Sequence, residues 1–236
     1  MADGYILKQK AAVKELENLF AKGESKSTVV DMQKDYANSK QITLTSVAFL
    51  PENITEGIIK NVIDPLRKIE PNQYFYPAAS MHLTIKNIRT IHEPPIFNES
   101  DVNKVNKLFN DIISKFQAFE FKVEDVLIFP TSISVMAYSS DVLQKLVSAL
   151  DKGLKEIGVP DDKKYLFYSV FWGNITVCRF TEKPSDFFIA EVKKIRNLKI
   201  GKFKVEKINL VTGNVVFNEN SKRIVAEYKL KQSHAI

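Results

Sequence analysis

Two short stretches hold most of the chemistry this sequence offers. SMHLTIKNI, residues 80–88, places His82 two residues before Thr84, and FYSVFWGNITVCRF, residues 167–180, places Asn174 two residues before Thr176. Both lie in apolar, strand-like runs. Side chains alternate faces along a strand. Ser80, His82, Thr84 and Lys86 are therefore predicted to share one face, opposite Met81, Leu83 and Ile85. On the later strand Trp172, Asn174, Thr176 and Cys178 share a face, opposite Phe171, Gly173, Ile175 and Val177. An imidazole titrates near neutrality and can exchange a proton. A threonine hydroxyl donates to a phosphate oxygen without adding charge, and an asparagine amide can bond an oxygen or a water but cannot carry a proton at pH 7. These groups offer one proton carrier and three hydrogen-bonding side chains on two strands of matching geometry.

Other residues extend this face. Lys86 would approach a phosphate, Trp172 could stack on a base, and Tyr76, beside Phe75, stands just ahead of the first motif strand. His92 follows that strand in the HEPP turn, and His234 lies in the C-terminal tail; both are expected to be exposed and functionally silent. The basic stretch EVKKIRNLKIGKFKVEK carries Lys193, Lys194, Arg196, Lys199, Lys202, Lys204 and Lys207, spread over a helix and the strand after it. Such a stretch serves equally as a solvated surface or a nucleic-acid face, and in the second case affinity would fall steeply with salt.

The elements that must position these residues follow from periodicity and breakers. Ile6, Leu7, Ala11, Val13, Leu16, Leu19 and Phe20 repeat at helical spacing, which predicts a helix of about 15 residues and a polar linker to about Lys40, an addition to the main fold. QITLTSVAFLP reads as a strand, and Asn53–Ile69 as a helix that Pro65 bends or interrupts. After the first motif strand come a helix opened by a capping Ser or Asp, two strands divided near Pro130, and a helix ending at Gly158. Then follow YLFYSVFWGNITVCRF as a strand, a helix, KIGKFKVEKINLV as one strand, and GNVVFN and KRIVAEYKL as the last two. The recurring order predicts an α+β fold of two pseudo-symmetric lobes with antiparallel sheets around a central cleft, behind an N-terminal helical extension. The expected division is 1–40 for extension and linker and 41–232 for the main domain, whose lobes interleave.

Composition narrows the class. The chain has 236 residues, 44% hydrophobic and 26% charged, as in ordinary globular proteins. One cysteine, Cys178, rules out a disulfide framework or thiolate cluster, and three histidines argue against a histidine-rich metal centre. No cofactor is expected. A formal charge of +6 permits phosphate partners. The absence of a signal-peptide core or an apolar run of membrane-spanning length predicts a soluble, cytoplasmic protein.

Taken as a pair, HLTI at 82–85 and NITV at 174–177 resemble the two H-x-[ST]-hydrophobic motifs of the two-histidine phosphoesterase superfamily. The resemblance runs from about Gln41 to Leu230. It implies two lobes that bring both motif strands to a cleft floor, where the histidines exchange protons with a phosphodiester and the hydroxyl residues hold its free oxygens. Carried over, His82 matches the first histidine, Thr84 and Thr176 the hydroxyl residues, and Asn174 the second histidine's place. The implied activity is metal-independent hydrolysis of a 2′,3′-cyclic phosphate or a short 2′-5′-linked RNA. The implied partner is a phosphate-bearing small molecule, nucleotide or short RNA. Losing one of two proton-transfer groups removes roughly 10²–10⁴ in rate. The sequence therefore leaves open a slow esterase, a nucleotide or RNA binder without turnover, and a scaffold for a protein partner.

Overall fold

In the computed structural model, which describes residues 2–232, the opening apolar stripe forms helix α1, Ala2–Lys22, longer than the 15 residues expected. Its buried Tyr5, Gln9, Val13 and Leu16 recur every three or four positions and pack on the sheet formed by later strands. Gly23 ends it at φ +70, a left-handed cap that few other residues adopt cheaply, with the Glu24 N–H donating to the Leu19 carbonyl at 2.9 Å.

Strand β1, Ile42–Phe49, leads into a long helix in three parts: α2, Glu52–Ile58, a π turn over Ile59–Ile63, and α3, Asp64–Ile69. The π turn immediately precedes Pro65, which has no N–H and cannot continue an i→i−4 ladder. The chain then forms β2, Tyr74–Phe75, a short strand that the sequence pattern does not reveal, and β3, His82–His92. Helix α4, Glu99–Ile113, is capped by Asn98 rather than by Ser100 or Asp101; Asp101 closes the capping box instead. β4, Phe119–Phe129, β5, Ser132–Ser139, α5, Asp141–Glu156, β6, Gly173–Arg179, and α6, Asp186–Lys194, follow in the expected order.

Three strand boundaries differ from expectation. The run before Gly173 is irregular, so β6 is only seven residues long. KIGKFKVEKINLV is two strands, β7, Lys199–Val205, and β8, Lys207–Asn214, which break at Glu206 and enter different sheets. GNVVFN forms no strand of its own: Gly213 and Asn214 end β8 and a turn follows, in which Asn214 Oδ1 accepts from the N–H groups of Val216 and Asn218, and β9, Arg223–Lys229, closes the fold.

The two sheets are antiparallel, with strand orders β3-β1-β8-β9 and β2-β6-β5-β4-β7. The fold is a mixed α+β arrangement of two such sheets with flanking helices. One continuous core joins them, with Leu44, Leu83 and Ile85 from the first and Val135, Ile175 and Val177 from the second. Among the described residues no helix is long and apolar enough to cross a membrane.

Candidate functional site

The motif strands meet where β6 begins. A Cβ on Gly173 would stand 2.5 Å from Leu83 Cδ1 and 3.0 Å from Ala137 Cβ. Glycine therefore allows β6 to lie directly against β3, and the polar residues on either side come to one place. Each motif strand also carries a one-residue bulge just past its threonine. Thr84 pairs with Val47 and Lys86 with Ser46, which leaves Ile85 extra; Thr176 pairs with Ser134 and Cys178 with Ile133, which leaves Val177 extra. A bulge resets the alternation of faces. Beyond it, Lys86 and Cys178 turn inward, and Asn87 and Arg179 come round to join the threonines.

The result is a cavity of about 230 Å³ with Thr84, Asn87, Asn174, Thr176 and Arg179 among its lining residues, and Lys163 and Trp172 beside them. His82 stands next to this cavity on β3, not in its lining. Its half-buried ring meets the Phe217 ring edge-on, centroids 4.5 Å apart, and its Nδ1–H donates to the Ser80 carbonyl at 2.8 Å. Phe217 holds that position from a left-handed backbone, φ 49, while Ser80 Oγ donates to its carbonyl. Because a carbonyl only accepts, Nδ1 carries the proton and Nε2 is left with its lone pair. Burial, with the Arg179 and Lys222 cations adding to it, pushes the imidazole down to about 4. At neutral pH His82 can accept a proton but has none to give.

That depressed value has a stability consequence. Between pH 6.5 and about 4 the unfolded chain binds a proton at residue 82 that the folded chain refuses. The contribution is complete above 6.5 and declines as pH falls through that window, by up to roughly 3 kcal/mol. Urea unfolding as a function of pH checks this. The wild type should lose more stability than His82→Asn across the window, and parallel curves would refute the assignment.

Asn174 Nδ2 lies 3.5 Å from Thr176 Oγ1, a long contact, and its buried Oδ1 has no protein partner. Thr176 Oγ1 is also 3.5 Å from the Ser134 hydroxyl. Such loosely held groups retain capacity for a ligand. Arg179 is not singled out by the sequence pattern, since simple alternation hides it and assigns Cys178 to the cleft. Its Nε donates to Tyr76 Oη at 2.9 Å, and neither Arg179 nor Lys163 makes an ion pair with a carboxylate among the described residues. Burial lowers the Lys163 ammonium below its ordinary value, against the pull of Asp161; the Arg179 and Lys86 charges lower it further.

Of three residues expected at the ligand, two lie outside the cavity lining and one lies in it. Lys86 is buried, with Nζ 2.6 Å from Asp161 and 3.0 Å from Asp151, and so is committed to two carboxylates. Tyr76 is wholly buried; its hydroxyl donates to the Val215 carbonyl and receives Arg179, so it orients a cavity residue from behind. Trp172 does line the cavity, with its ring 6.2 Å from Phe167. In the basic stretch Lys194, Arg196, Lys202, Lys204 and Lys207 all pair with carboxylates, so most of its charge is locally offset. His92 is exposed and within 3.2 Å of Thr90 Oγ1, and His234 lies outside the described residues. Cys178 is buried and its thiol pushed far up by burial. Among the described residues no group of histidine, cysteine, aspartate and glutamate side chains is placed to hold a metal.

No family model and no curated protein sequence matches the chain. Solved structures do. The fold is shared with TT0787 of Thermus thermophilus at 17% identity and a TM-score of 0.59, over 81% of this chain and all of that one. It is shared with a protein described as a phosphoesterase at 13% identity and 0.57, over 82% of this chain and all of that one. E. coli LigT in its apo form matches at 16% identity and 0.56, with the same coverage. LigT is also known in complexes with phosphate, 3′-AMP, ATP and NADP+. At these identities the likeness is one of fold: the chain shares the overall architecture of these three proteins.

Proposed function

We propose that the chain binds a phosphate ester in the cavity between its motif strands and hydrolyses it slowly without a metal, with a 2′,3′-cyclic phosphate or a short 2′-5′-linked RNA end as the substrate class. One observation carries this reading. Arg179 and Lys163, two cations without carboxylate partners among the described residues, line the same cavity as Thr84 and Thr176. Desolvated cations are costly unless an anion offsets them, and two hydroxyls and an amide beside them suit the free oxygens of a phosphate. The ligands seen with LigT share a phosphate group, which agrees.

In this reading Thr84, Thr176 and Arg179 hold the phosphate. His82 Nε2 takes the proton of a water that attacks phosphorus from the His82 side. The ester P–O bond breaks and the leaving oxygen takes its proton from solvent, because Asn174 has none to transfer. Asn174, with its unpartnered oxygen, orients a substrate hydroxyl or a water. That same residue favours a second reading, in which the ligand is retained without turnover.

Calorimetric titration with inorganic phosphate tests the shared part of both readings. Arg179→Met should weaken binding by roughly 10- to 100-fold, the worth of a charge-assisted hydrogen bond. An unchanged affinity would remove Arg179 from the site. Hydrolysis assays then separate the two readings: activity that is lost in His82→Ala marks an esterase, and ligand recovered intact marks a binder.

A further inference from the structure

The cavity is not confined to the two motif strands. Leu16 and Phe20 of α1 and Ser27, Thr28, Val29 and Val30 of the following linker also line it, together with Phe167 and Trp172. The linker has no regular secondary structure, yet it is pinned. The Thr28 N–H donates to the Lys164 carbonyl at 3.1 Å, the Lys164 N–H donates to Thr28 Oγ1 at 2.9 Å, and Thr131 Oγ1 donates to the Val30 carbonyl at 2.6 Å. α1 is pinned as well. Gln9, fully buried, donates to the Phe171 carbonyl at 2.5 Å and accepts from the Ser139 N–H at 3.0 Å, and Glu17 pairs with Arg196 at 3.0 Å. One wall of the cavity is thus built from the N-terminal segment and held from several directions.

The lining combines two kinds of surface. Hydroxyls, an amide and two cations make its polar part, to which Ser27 and Thr28 of the linker also belong; Leu16, Phe20, Val29 and Val30 with Phe167 and Trp172 make an apolar and aromatic part, with Phe20 tilted on Phe129 at 5.2 Å and Phe167 edge-on to Trp172. A free phosphate would fill only the polar part. At about 230 Å³ the space is below the usual 300–1,000 Å³ of ligand sites; it takes about one ring beside the phosphate, and the rest of a larger ester would extend through the open side to solvent.

Resting on the phosphate reading above, we infer that the N-terminal segment is part of the binding site and that its wall, with Phe167 and Trp172, selects phosphate esters carrying a planar aromatic group. The phosphate lies against Arg179 and Lys163, and the ring lies among Phe20, Val29 and Trp172. Selectivity then depends on residues 16–30, far in sequence from both motifs.

Titration of the full chain with phenyl phosphate, ribose 5-phosphate and inorganic phosphate tests this. Phenyl phosphate should bind roughly tenfold or more tighter than inorganic phosphate, the gain expected from burying one ring, and ribose 5-phosphate should show no such gain. Val29→Trp, which fills the apolar part from the linker, should abolish the advantage of phenyl phosphate and leave inorganic phosphate binding unchanged. Phe20→Ala should reduce the same advantage by removing a ring from the wall. A thermal melt of each variant with inorganic phosphate reports that the fold and the polar part survive. If inorganic phosphate binds and phenyl phosphate binds no tighter, the inference falls while the phosphate reading stands. An advantage that persists in Val29→Trp overturns the assignment of the wall. If neither ligand binds, both readings fall.

Discussion

Asn174→His should raise hydrolysis of a 2′,3′-cyclic phosphate by roughly 10²–10⁴-fold, the usual worth of a positioned general acid. His82 is neutral at pH 7, with its one ring proton held by the Ser80 carbonyl, so in the proposed mechanism it can serve only as a base. Departure of an alkoxide then depends on solvent for its proton. Residue 174 is next to Thr176 and on the cavity wall, with an unpartnered polar atom already there. An imidazole at that position would face a bound phosphate, whose negative charge favours its protonated form. The choice of leaving group makes the test specific. A gain caused by leaving-group protonation should be large for the cyclic phosphate and small for a 4-nitrophenyl phosphodiester, whose phenolate departs as the anion. Initial rates on the two substrates decide it. Equal gains would mean that the new histidine acts on phosphate binding, and no gain on the cyclic phosphate would mean that the site has diverged by more than one residue.

What could be read from the sequence and what could not divide along a physical line. The pairing of HLTI with NITV, the apolar inner faces of both strands and the order of helices are local patterns, and they reappear in β3, β6 and the helices around them. The bulges at Ile85 and Val177 are not local. They are defined only against β1 and β5, strands some forty residues away in the chain, and no feature of either motif strand announces them. Without them alternation carries Lys86 and Cys178 into the cleft and turns Arg179 away, the reverse of what the fold does. One signal was available: Arg179 is a lone cation between Cys178 and Phe180, both of which are buried. A charge in such a run needs either a partner or a cavity. The break at Glu206 was hidden for a similar reason. KIGKFKVEKINLV has continuous strand character, and which sheet each half joins is settled by β4 and β1. Gly173, which in the sequence only interrupts an apolar run, is the contact point that lets the two motifs approach.

Asp161→Ala should cost about 3 kcal/mol of stability, the low end of the penalty for removing one partner of a buried ion pair. Asp161 and Lys86 expose only 3% and 2% of their side chains, and the carboxylate has four partners: Lys86 Nζ at 2.6 Å, Tyr165 Oη at 2.5 Å, Asn87 Nδ2 at 3.1 Å and the Lys163 N–H at 2.7 Å. Alanine leaves the Lys86 ammonium buried with Asp151 alone. That carboxylate is 32% exposed and already paired with Lys155, so it offsets only part of the loss. Asp161→Asn keeps the shape but replaces one of the two accepting oxygens with an NH2 that faces donors, so it removes the charge and two of the four hydrogen bonds together and should be nearly as costly as alanine. Combined with Lys86→Met, Asp161→Ala should cost distinctly less than the sum of the single changes, because the stranded cation is gone. Urea denaturation of the wild type, the two single variants and the double variant checks this, and additive costs would show that the two residues are not coupled. The same carboxylate fixes the start of the segment that carries Lys163, Phe167 and Trp172 into the cavity. Phosphate affinity in the folded Asp161→Ala variant should therefore fall as well, even though Asp161 is not among the residues that line the site.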